Sequence, residues 1–146
     1  MEINVIRAEE TWQRAGAYYV RIQGMARQHG ITLRREFDDH DGAASRYIVL
    51  TDADFPVATC RFYPLDENSV MIGRVVVLPE YRGKGLGKRM LEEAESWIRE
   101  LGFAKAVVES RDVARGFYEK IGFSVTDCTV IHGDTFDCIS MEKALT

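Results

Sequence analysis

RVVVLPEYRGKGLGKRMLEEAESWIRELG, residues Arg74 to Gly102, is the stretch from which the rest of the chain is read. Val75-Val76-Val77 is a β-branched run that reads as a strand, and Leu78-Pro79 ends it. Arg82-Gly83-Lys84-Gly85-Leu86-Gly87 follows. Met90, Leu91, Ala94, Trp97, Ile98 and Leu101 then recur at helical spacing, with charged residues opposite and a glycine stop at Gly102. Strand, glycine loop and helix in that order make an anion site. The glycines let successive N–H groups face one concavity, and the first helical turn leaves its own N–H groups unbonded. The helix dipole adds partial positive charge there. Arg82, Lys84, Lys88 and Arg89 surround the spot with full charges, so a polyanion such as a pyrophosphate is the expected ligand.

Upstream, Arg46–Thr51, Pro56–Tyr63 and Ser69–Leu78 read as an antiparallel meander with short turns at Asp52-Ala53-Asp54 and Pro64 to Asn68. Ile3–Arg7 is a short strand. A long helical stretch follows Glu9 and Glu10 and stops at Gly30. Its apolar face is Trp12, Ala15, Tyr19, Ile22 and Ala26, widened by Tyr18 and Met25, with one or two aromatics left for a substrate cleft. Ile31 to Ser45 is charged and turn-rich: a loop with at most a helical turn, in which His40 is a solvated loop histidine. Downstream, Ala104–Glu109 is a candidate parallel strand beside Val75–Val77, reached by a right-handed crossover. Asp112 is placed to cap a second helix that runs to about Lys120 and ends at Gly122. Phe123–Ile131 and Thr135–Glu142 read as a closing hairpin around His132-Gly133-Asp134.

The class is therefore mixed α/β, with antiparallel strands first and then β-α-β-α-β-β. At 146 residues a single domain over 1–146 is expected. The formal charge of −4 argues against nucleic acid as the main partner. No apolar run approaches membrane-spanning length, and no secretory leader is visible. Cys60, Cys128 and Cys138 are an odd number without metal-ligand spacing; no metal is expected. They read as small buried hydrophobes in a reducing, cytoplasmic setting.

The glycines at 83, 85 and 87 follow G-x-G-x-G, which fits neither the dinucleotide fingerprint nor the phosphate loop of nucleotide hydrolases. R-x-x-G-x-G from Arg82 to Gly87, preceded by V-x-P-x-Y-R (Val77, Pro79, Tyr81, Arg82), resembles the acetyl-coenzyme A signature of the GNAT superfamily of N-acyltransferases. Ala114 to Phe123 resembles the A-x-x-F-Y-E-K-x-G-F signature that follows it in that family. The resemblance covers about residues 70 to 125 strongly, and the rest by element order. It implies the GNAT fold: a central mixed sheet of six to seven strands, a parallel pair splayed at the cofactor site, and about four helices.

The resemblance also implies roles. The backbone of Val75, Val76 and Val77 would pair with the pantetheine arm of acetyl-coenzyme A, where a β-bulge splays the strand from its neighbour. An N–H near Val77 would polarise the thioester carbonyl. Amides of Arg82, Gly83, Lys84, Gly85, Leu86 and Gly87, with Lys88, would take the pyrophosphate. Tyr118, held by Phe117 and Phe123, would be the general acid for a direct transfer to an amine. Glu109 is the first candidate for the base; Glu80, Asp66 and His132 are weaker ones, and a water relay is the alternative. Arg111 stands where relatives carry asparagine, and its guanidinium is expected to reach a coenzyme phosphate or form a salt bridge. The acceptor would be a primary amine of a small molecule or protein, and the acids at Asp38–Asp41 and Asp66-Glu67 suggest a cationic one. Pairing of two copies through the C-terminal strands is a further expectation. A non-catalytic coenzyme A-binding module is the alternative reading, and a dinucleotide-binding domain the third.

Overall fold

The computed structural model describes residues 1–146. Its strands are β1 (Ile3–Arg7), β2 (Arg46–Asp52), β3 (Phe55–Pro64), β4 (Ser69–Val77), β5 (Lys105–Arg111), β6 (Ser124–His132) and β7 (Asp137–Ala144). They form one seven-stranded mixed sheet in the order β1-β2-β3-β4-β5-β7-β6. Every neighbouring pair is antiparallel except β4 and β5. The helices are α1 (Thr11–Arg21), α2 (Arg27–His29), α3 (Leu33–Glu36), α4 (Leu86–Glu100) and α5 (Arg115–Lys120). A π-helical turn, Ile22–Ala26, joins α1 to α2 without a break. No helix is long and apolar enough to cross a membrane.

Alternation along β2 separates the two faces of the sheet. Ile48 and Leu50 point to a large core with Met90, Leu91, Ala94 and Ile98 of α4, whereas Tyr47 and Val49 pack with Ala17 of α1 on the other side. Each fully buried Met90, Leu91 or Ile98 contributes about 1.5–3 kcal/mol of transfer free energy. The helical face expected for α4 holds except at Leu101, which ends the helix and lies exposed.

The face expected for α1 is turned. Trp12 and Ala15 are exposed; Ala26 is buried as expected, and the other buried residues of the stretch are Gly16, Ala17, Val20, Arg21 and Gly24. Small residues sit there because the helix lies close on the sheet. A Cβ on Gly24 would come within 2.6 Å of the Val76 side chain. Large apolar residues cannot fit such a contact, so hydrophobicity alone selects the wrong stripe. The cysteines differ too: Cys60 is fully buried, but Cys138 is half-buried and Cys128 is exposed on the outer strand β6. Asp112 opens a short 3-10 turn (Asp112–Ala114) and makes no side-chain cap to α5.

The feature that shapes the site is a fork. β5 pairs with β4 only through Ser69–Ile72, matched to Lys105–Val108. Val75–Val77 therefore lies beyond the paired segment instead of beside β5. The cause is a bulge: between Thr59 and Arg61 of β3, β4 inserts an extra residue, so Arg74 and Val75 face Cys60 alone. Arg74 adopts φ 50°, which bends the strand away from β5.

Candidate active site

The glycine loop forms the first wall. Gly83 and Gly85 have φ of 76° and 77°, a region that side chains resist. Helical hydrogen bonding begins only at Arg89, whose N–H reaches the Gly85 carbonyl at 3.2 Å; the N–H groups of Gly83 through Lys88 find no acceptor within the chain. Six consecutive donors at the start of a fifteen-residue helix make a cradle for an anion. Lys84, Lys88 and Arg89 are exposed around it. Arg82 is engaged elsewhere: its Nε donates to the Val77 carbonyl at 2.9 Å, tying the loop to β4.

The second wall is the open edge of β4. Leu78 N–H donates to the Val57 carbonyl at 2.9 Å. By the alternation of an antiparallel ladder, Val77 N–H then points the opposite way, into the fork. This leaves a free donor on a strand edge that has lost its neighbour.

Between the arms of the fork lies a cavity of about 430 Å³. Val75, Val76, Glu109, Arg111 and Tyr118 all line it, so five of the expected site residues meet there. Tyr118 is 7% exposed and packs edge-on against Phe117 and Phe123, with centroids at 5.1 and 5.6 Å. Burial, with Cys60 and Cys138 nearby, raises its pKa well above that of an ordinary phenol, so the hydroxyl keeps its proton. Glu109 is exposed near the end of β5 on the same cavity. Arg111 lines this cavity, away from the glycine loop, with its guanidinium 3.7 Å from the Phe136 ring centroid.

Three weaker base candidates lie elsewhere. Glu80 is exposed on a 3-10 turn (Pro79–Tyr81), and Asp66 accepts two backbone N–H groups and the Ser69 hydroxyl, each at 2.8 Å. His132 ends β6, 3.1 Å from Asp137. From the long helix it is Met25, not an aromatic, that lines the cavity; its aromatic walls are Tyr63, Tyr118 and Phe136. His40 is exposed as expected, and stacks on Tyr63 at 3.9 Å.

The third wall is one that sequence reasoning missed. Arg21, Glu36, Arg74, Asp38, Arg61 and Asp41 form a closed ring in which every group pairs with both neighbours. Arg21 is 3.0 Å from Glu36 and 2.7 Å from Asp41, Arg61 is 2.8 Å from Asp38 and 3.1 Å from Asp41, and Arg74 is 3.0 Å from Glu36 and 3.1 Å from Asp38. Tyr47 adds a hydrogen bond to Asp41 at 2.7 Å. Burial opposes ionisation of Asp41, but the Arg21 and Tyr47 hydrogen bonds outweigh it and hold the carboxyl well below the usual range. Asp38 is lowered likewise, burial being outweighed by Arg61. The ring pins the 31–45 segment onto β3 and the β4 bulge. Of the acids expected to face a cationic acceptor, Asp38 and Asp41 are held by arginines of this ring, and Asp66 accepts from Asn68 and Ser69. The one available signal was an arginine at 21 on a buried helical position.

The sequence profile of the acetyltransferase (GNAT) family matches residues 7–123. An uncharacterized acetyltransferase of Streptococcus pyogenes serotype M3 is 33% identical over 110 residues, 75% of this chain and 77% of the relative. The crystal structure of a Lactobacillus plantarum protein, provisionally named an N-acetyltransferase, superposes with a TM-score of 0.92 at 31% identity over the whole of both chains. A GNAT family acetyltransferase of Elizabethkingia anophelis with acetyl-coenzyme A bound shares the fold, with a TM-score of 0.73 at 15% identity over 98% of both chains.

Proposed function

Since this chain belongs to the acetyltransferase (GNAT) family and is an acyltransferase, we propose that it transfers an acetyl group from acetyl-coenzyme A directly to a primary amine. The observation that carries the reading is the run of unbonded N–H groups from Gly83 to Lys88 beside the unpaired edge of β4. A pyrophosphate fits the first, and a pantetheine amide fits the second. The coenzyme supplies an acetyl group activated as a thioester.

The chain's own residues do the rest. Val77 N–H donates to the carbonyl oxygen on which charge develops, a donor fixed in place by the Leu78–Val57 pairing. Tyr118, kept protonated by burial, gives its proton to the departing thiolate. Glu109, or a water it orders, takes the proton that the amine loses. Lys84 and Lys88 add charge at the phosphates. The apolar flank of the cavity, from Met25, Ile72, Val75 and Val76, limits water at the reacting centre.

The test is a thiol-release assay with acetyl-coenzyme A across a broad amine panel, run on the protein and on Tyr118→Phe. The proposal requires turnover that the substitution lowers about a hundredfold or more, with coenzyme affinity kept. Coenzyme binding without turnover of any amine would favour a non-catalytic module.

A further inference from the structure

Five glycines of the chain stand at positive φ, and Gly16, Gly24, Gly87 and Gly133 stand where a Cβ would come within 3.3 Å of a neighbouring atom. Gly73 has neither reason to be glycine. The positive φ of the β4 bulge falls on Arg74, and a Cβ built on Gly73 meets nothing within 4 Å. A glycine inside a strand is less stable than alanine there, and it often marks a place where a ligand comes close. Gly73 is also the one glycine on the cavity wall.

Its place in the fork says which ligand. Pairing of β4 with β5 ends at Ile72 and Val108, so Gly73 is the first residue past the crotch, and the parallel register sets Glu109 next to it. Alternation puts Met71 and Gly73 on one face of β4, and both line the cavity with Glu109. On its other flank Gly73 pairs with Arg61, whose guanidinium is held by Asp38 and Asp41. The wall is thus bare at one point, a hollow between β3 and β5 with the candidate base at its rim. The coenzyme would come in at the other end of the fork, from Gly83–Lys88 past Val77, which leaves the crotch for the acceptor.

Resting on the acetyltransferase reading of this cavity, we propose that Gly73 is a specificity-determining residue: its bare backbone is the seat of the acceptor's carbon skeleton beside the amine. The amine then lies between Glu109, which takes its proton, and the acyl group at Val77. Any side chain at position 73 projects into that seat and competes with the acceptor for it. The strand would gain from such a side chain while the acceptor loses, a division that a packing role for the glycine does not produce.

The test titrates n-butylamine, benzylamine and cadaverine into isotope-labelled protein, with and without saturating coenzyme A, following the backbone amides by NMR. At least one amine is expected to shift the Gly73 and Glu109 amides together and saturably. Gly73→Ala should keep or raise the urea midpoint and keep the affinity for coenzyme A. It should weaken that amine, read at the Glu109 amide, by about tenfold or more, and Gly73→Val should weaken it further. In the thiol-release assay the same variants should lower kcat/KM for the amine by a similar factor. Gly73→Ala binding the amine as well as the unsubstituted protein does, or no amine moving the Gly73 amide, would overturn the proposal. A lowered urea midpoint in Gly73→Ala would overturn it also, by making the glycine a packing residue. Amine binding is read without turnover and without coenzyme, so failure of the acetyltransferase reading, seen as absent acetyl-coenzyme A binding, is a separate result.

Discussion

The two sides of the fork are built from different material. The side proposed for the coenzyme is backbone: free N–H groups on a glycine loop and on one strand edge, all within residues 77 to 88. The other side is side chain: six charged groups drawn from the long helix, the 31–45 segment, β3 and β4, closed into a ring. A backbone site needs few particular side chains but demands glycines at fixed spacing, so it is written locally. A side-chain ring needs no local pattern, because its members meet only after folding. The difference separates what tolerates substitution from what does not.

The ring gives the largest expected effect. Arg21→Met leaves Glu36 and Asp41 buried and undercompensated, which costs about 3–5 kcal/mol and is measured as a loss of urea midpoint. The same ring sets an acid limit. The folded pKa values of Asp38 and Asp41 are depressed, so their stabilisation is complete above the unfolded carboxyl pKa of about 4 and is lost as pH falls below it. Thermal scans from pH 7 to 3 should show stability falling at the acid end in the protein, and a shallower fall in Asp41→Asn, which begins from lower stability.

Tyr118→Phe acts on rate instead of stability. We expect kcat to drop about a hundredfold or more with the folding midpoint nearly unchanged. A large stability change with intact turnover would make Tyr118 a packing residue. Gly24→Ala touches both sides at once, since the new Cβ would press on Val76 at 2.6 Å and push β4 where the coenzyme arm would lie. It should cost about 1–3 kcal/mol and weaken acetyl-coenzyme A binding in calorimetry. Lys88→Ala is the smallest. The side chain is mostly exposed and only 3.9 Å from Glu92 as an ion pair, so a roughly two- to fivefold loss of coenzyme affinity is expected, shrinking with added salt.

The contrast also explains what could be read in advance. Val75–Val77, the glycine spacing and the Ala114–Phe123 segment gave the class, the β-α-β core and the position of Tyr118, because each is a local pattern tied to a local geometry. The inner face of the long helix escapes a count of hydrophobic residues because its buried positions include Gly16, Ala17 and Gly24, whose small size permits close approach to the sheet. The expected pairing of β5 beside Val75–Val77 fails because β4–β5 pairing ends at Ile72, just before the bulge, and Arg74 at φ 50° carries no sequence mark. Asp38 and Asp41 read as a surface for a cation because their partners, Arg21, Arg61 and Arg74, lie 20 or more residues away in the chain.

The most direct test of the backbone side is a calorimetric titration with acetyl-coenzyme A, beside coenzyme A and NAD. Saturable one-to-one binding of both coenzyme A compounds and none of NAD is the predicted result. Absence of coenzyme A binding, or equal binding of NAD, would contradict the assignment of the Gly83–Lys88 amides and the β4 edge as a coenzyme site.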